Sequence, residues 1–97
     1  MPNPTQGQAA NAPVWNPTTT AQVVPLTGAA DAVAITGYYI ILSNIGANNV
    51  WISPDPAVQG VLVSPGETFE TAIVPNSSFY VVGTAAQLVS VVEYKNA

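Results

Sequence analysis

The chain has 97 residues with five acids, one Lys, and no Arg, His or Cys, so its net charge is −4 and only 6% of it is charged, where about 25% is ordinary. A single cation argues against electrostatic binding of nucleic acid, whose phosphates are neutralised by Lys and Arg, and against docking on an anionic membrane. Without His or Cys there can be no Ser-His-Asp triad, thiolate zinc site or disulfide, and neither enzymatic activity nor a cofactor is expected.

The first 20 residues hold four prolines and no charge, and they read as an extended arm with no core of its own. Val14 and Trp15 are its large apolar pair. Lying between Pro13 and Pro17, they look like an anchor on a stiff strip, set either against a partner or back on their own domain. The remaining 77 or so residues form a domain that buries only roughly 60% of the surface its unfolded chain exposes, so its stability alone is marginal. Self-association is the common remedy when disulfides and metals are absent. Six charges also cannot guard the sheet edges of a whole domain, which implies that other protein covers much of this surface.

From residue 21 onward, 14 Val, 6 Ile and 9 Thr across the chain favour strands over helices. Strands are predicted over 21–26, 32–36, 38–43, 49–53, 60–63, 68–73, 78–82 and 88–94, punctuated by Gly and Pro. The fold class is therefore all-β: a small antiparallel β-sandwich of about eight short strands, of jelly-roll type, preceded by the arm over 1–20, with the domain spanning 21–97. Tyr38 to Ile52 reads as a hairpin around Gly46-Ala47-Asn48-Asn49. Its first strand is apolar on both faces, so it must be covered twice. Tyr39, on one of those faces, and Trp51, beyond the turn, are the expected partner contacts. Ser64-Pro65-Gly66-Glu67 is a tight turn, and the Val-rich strand over 88–94 belongs in the interior of a sheet, because exposed it would aggregate.

Glu67 and Glu70, three apart on a predicted strand, do not converge on a substrate. Asp31 and Asp55 read as turn caps, and no calcium-loop spacing exists, so no metal is expected. Trp51, Tyr38, Tyr39, Phe79 and Tyr80 admit a sugar-stacking platform as an alternative to core and interface packing; packing is the preferred reading. No apolar run approaches a spanning helix and no signal peptide is visible, which leads to the expectation of synthesis in a host cytoplasm. Asn76-Ser77-Ser78 fits a glycosylation sequon but reads as a polar turn.

The run Leu42-Ser43-Asn44-Ile45-Gly46-Ala47-Asn48-Asn49-Val50-Trp51-Ile52, the segment Gly60 to Thr68 closing on Ser64-Pro65-Gly66-Glu67, Phe79-Tyr80-Val81 and Val89 to Tyr94 together resemble small β-sandwich structural proteins of tailed bacteriophage virions. The likeness covers roughly Tyr38 to Tyr94 and rests on turn chemistry and strand pattern. It implies a head decoration or cement protein, often a homotrimer, that binds the major capsid protein or another virion component, and hence a place on the capsid surface. On this reading Pro13, Val14 and Trp15 anchor the arm, while Tyr39 and Trp51 meet partners. The alternative is a receptor- or glycan-binding module of a phage fibre or spike.

Overall fold

A computed structural model of the chain describes residues 16–96; the arm residues Pro13, Val14 and Trp15 lie outside them. Eight strands run in chain order as β1 (Pro17–Pro25), β2 (Asp31–Ile35), β3 (Tyr39–Asn44), β4 (Val50–Ser53), β5 (Val61–Val63), β6 (Thr68–Ala72), β7 (Ser77–Val82) and β8 (Leu88–Asn96). They form two four-stranded antiparallel sheets, ordered β1-β8-β3-β6 and β2-β7-β4-β5. This is the interleaved strand order of a jelly roll. Among the described residues there is no helix.

The period-two pattern explains which side chains go inside. On β3, Ile40, Leu42 and Asn44 are buried while Tyr39, Ile41 and Ser43 stay half-exposed; on β8, Val89, Val91 and Glu93 alternate in the same way. Val33, Ile35, Val50, Ile52, Phe79 and Val81 supply the opposing layer of the core. The last strand is interior, as expected, since β8 lies between β1 and β3.

Two expectations are corrected. First, Tyr38 to Ile52 is no hairpin: β3 pairs with β6 and β8, whereas β4 pairs with β5 and β7. The segment between them is a corner that carries the chain from one sheet to the other, and none of Gly46, Ala47, Asn48 or Asn49 has a positive φ. Asn44 builds this corner. Its side-chain nitrogen donates to the carbonyls of Asn48 and Val63, and its oxygen accepts from Gly46 N and from Gln87 Nε2. A fully engaged amide is what lets a polar side chain with 1% exposure sit in an apolar core. Second, the strand expected from residue 21 begins at Pro17, because β1 pairs along β8 out to Asn96.

Glu93, 7% exposed, closes the other end. Its Oε1 accepts from the Thr36 and Gly37 amides and the Thr36 hydroxyl at 2.8–3.1 Å. The charge is thus met by three donors at the β2–β3 corner.

Candidate functional site

Three of the five acids serve turns rather than outer faces. Asp31 accepts from the Thr27 amide and hydroxyl, Asp55 accepts from Ala57 N, and Glu67 accepts from Ser64 N across the Pro65-Gly66 turn. With Glu93 buried, few charges are left for the outer faces of the sandwich.

On the outer face of the β1-β8-β3-β6 sheet, directly paired residues share a side and form three rows: Thr19, Tyr94, Tyr39, Ala72; Ala21, Val92, Ile41, Glu70; and Val23, Ser90, Ser43, Thr68. Glu70 is the one charge among these twelve positions. It accepts from the Tyr39 hydroxyl at 2.5 Å, and this bond, first among the causes, raises the Tyr39 pKa above its ordinary value. Tyr39 also meets Tyr94 edge to face, with ring centroids 6.1 Å apart. Four strands at about 4.8 Å and five to six residues at about 3.4 Å give this face roughly 350 Å², about half of what one partner contributes to a standard interface.

The opposite outer face carries Trp51 between Val82 and Leu62, and Tyr80 between Ala32 and Ser53. None of these residues is charged, and Leu62 is 48% exposed. Tyr39 and Trp51 therefore belong to two different surfaces, with the sandwich between them. Phe79 is 3% exposed inside the core, so the five aromatics do not converge into the alternative sugar-stacking platform; of the five, Trp51 and Tyr80 share this face, as diagonal neighbours.

A third feature was not foreseen. Between the two sheets, on the side bounded by β5 and β6, lies a cavity of about 470 Å³ lined by Ile40, Ile52, Val61, Phe69, Ile73, Val74 and Phe79 together with small and hydroxyl side chains. No titratable side chain lines it. Val61 pairs with buried Ile52 and so faces the core, yet it is 49% exposed; Val74 on the rim is 73% exposed. The three-residue β5 is too short to close the sandwich here. The apolar residues were readable in the sequence, but the gap between them was not. Among the described residues no cluster of acids is placed to hold a metal ion.

Comparison with protein-family models, with curated proteins and with solved structures returns no match from any of the three.

Proposed function

We propose that this chain is a structural virion protein of the decoration or cement type, which self-associates and attaches to a phage head through uncharged area and its N-terminal arm. The observation that carries this reading is the outer face of the β1-β8-β3-β6 sheet, where twelve positions across four strands hold a single charge, and that charge is bonded to Tyr39. Left in water, such a face and its uncharged edge strand β1 invite association. Jelly rolls occur in viral capsid and lectin domains alike, so the fold alone does not choose between them. The surface chemistry favours the capsid role, because the residues paired directly with Trp51 and Tyr80, namely Val82, Leu62, Ala32 and Ser53, bring no charged group or amide beside the rings to grip a sugar.

The test is native mass spectrometry of the full chain and of a truncation, each also sedimented with undecorated heads of its own phage. The truncation removes residues 1–15 only, since β1 begins at Pro17. The expected result is an oligomer that pellets with heads, with truncation abolishing either pelleting or assembly. A full-length monomer that ignores heads but retains labelled host glycans would replace this reading with the fibre module.

A further inference from the structure

Among the described residues the outer edge of β1 is the longest and least guarded, and we infer that it pairs with β1 of a second copy of this chain, antiparallel and centred on Ala21, so that two sheets become one. β1 is an edge strand of nine residues without a charge, and its register with β8 runs from Pro17 to Pro25 without a bulge. The other edge strands are shorter, five residues in β2 and β6 and three in β5, and β2 and β6 carry Asp31 and Glu70. Charge, brevity and bulges keep a sheet edge from pairing, and β1 has none of them between its prolines. Neither of its faces is covered by the described residues: every position is exposed except Val24, which is half-buried.

Backbone parity decides which groups this edge offers. Leu26 N donates to the Gln87 carbonyl and Leu26 O accepts from Ala86 N, so the peptide groups of Leu26 face the β8 side. Alternation then turns those of Val24, Gln22, Thr20 and Thr18 toward β8 and those of Pro17, Thr19, Ala21, Val23 and Pro25 outward. Both prolines thus stand where a missing N–H takes no bond from β8, and between them lie three outward N–H donors, at Thr19, Ala21 and Val23. Pro17 and Pro25 are four residues to either side of Ala21. An antiparallel copy with Ala21 on the two-fold axis therefore sets Thr19 opposite Val23 and Ala21 opposite its own copy. The three pairs make six hydrogen bonds at two each, and proline meets proline where no N–H is left over.

A second copy is the partner this edge fits, because a two-fold contact brings like against like. Any charge on β1 would lie close to its twin and repel it. β1 has none, and the sole charge of the outer face, Glu70, is on β6 at the far edge of the sheet. The flanking cross-strand pairs are Thr with Val, both of which suit strands. The union also doubles the outer face: two of roughly 350 Å² make one of about 700 Å², close to the roughly 800 Å² that one partner gives a standard interface.

This inference rests on the self-association in the proposed function and not on attachment to heads. A two-fold contact builds even-numbered closed assemblies, so native mass spectrometry of the full chain should show dimers or multiples of them. Ala21→Lys sets two like charges face to face on the axis and should raise the dissociation constant at least about tenfold, with part of the loss recovered as salt rises to about 1 M. Ala21→Pro removes an outward donor but no bond to β8 and should leave a folded monomer. The chain has no native cysteine, so crosslinking reports proximity without background. Ala21→Cys places its Cα about 5.5 Å from that of its copy, within disulfide reach, and should close a covalent dimer under mild oxidation well before Thr18→Cys, whose copies are about 20 Å apart in this register. An assembly of odd number such as a trimer, equal crosslinking of the two cysteine variants, or Ala21→Lys and Ala21→Pro chains that keep the wild-type assembly overturns the β1 pairing and leaves the self-association intact. A wild-type chain that is monomeric at every concentration overturns both; if it then dimerises once residues 1–15 are removed, the edge belongs to its own arm.

Discussion

Tyr39 shows how one side chain links surface chemistry to stability. Its hydroxyl donates to Glu70, which holds its proton more tightly in the folded chain than in the unfolded one. A pKa raised by folding contributes stability that is fully present below the ordinary value of 10.0 and is lost as pH rises through the raised value. Ultraviolet titration should therefore resolve a tyrosine ionising above the ordinary value, and Glu70→Gln should bring it back toward that value and soften the alkaline fall in stability. Asn44 and Glu93 illustrate the opposite use of polarity: both are buried and both are matched donor by acceptor, so they define corners rather than sites. No buried side-chain polar atom among the described residues lacks a partner.

At the scale of the element, two glycines mark turns for different reasons. Gly66 has a φ of +83° with open space where a Cβ would stand. Gly66→Ala should cost roughly 1–2 kcal/mol, all of it backbone conformation. At Gly37 a Cβ would lie 2.2 Å from the Tyr94 carbonyl oxygen, so Gly37→Ala must displace the β2–β3 corner from β8 and disturb the bonds to Glu93. Urea unfolding at one fixed protein concentration should find this loss larger, at or above the upper end of the roughly 1–3 kcal/mol of ordinary overpacking; equal losses would show that the corner yields. The strands themselves were legible, because alternation and Gly-Pro punctuation are local signals. Their pairing was not. The corner after β3 has hairpin residues, yet Ile40, Leu42, Val50 and Ile52 all require burial, and two facing sheets bury them where a flat hairpin would expose one side. The extension of β1 to Pro17 was also hidden, since Thr18, Thr19 and Thr20 acquire their strand only by lying along Lys95, Tyr94 and Glu93.

Across the whole molecule, association is expected to depend on apolar area. Raising salt shortens the screening length from about 10 Å at 0.1 M to about 3 Å at 1 M, but one charge among the twelve positions of the outer sheet face leaves little to screen. Sedimentation velocity should show the same oligomer across that range; steep dissociation at moderate salt would point to charge pairs across the interface instead. The amino-acid sequence by itself determined the all-β class, the approximate bounds of most strands, the Pro65-Gly66 turn and the scarcity of surface charge, since each follows from side-chain size, φ preference or composition within a few residues. Only the tertiary structure decided that β1 joins β8 across the length of the chain, that Tyr39 and Trp51 face opposite ways, and that Val61, Phe69 and Ile73 border a cavity. Those features depend on which strands meet, and that choice is made by burying all the apolar faces together, which no local run of residues encodes.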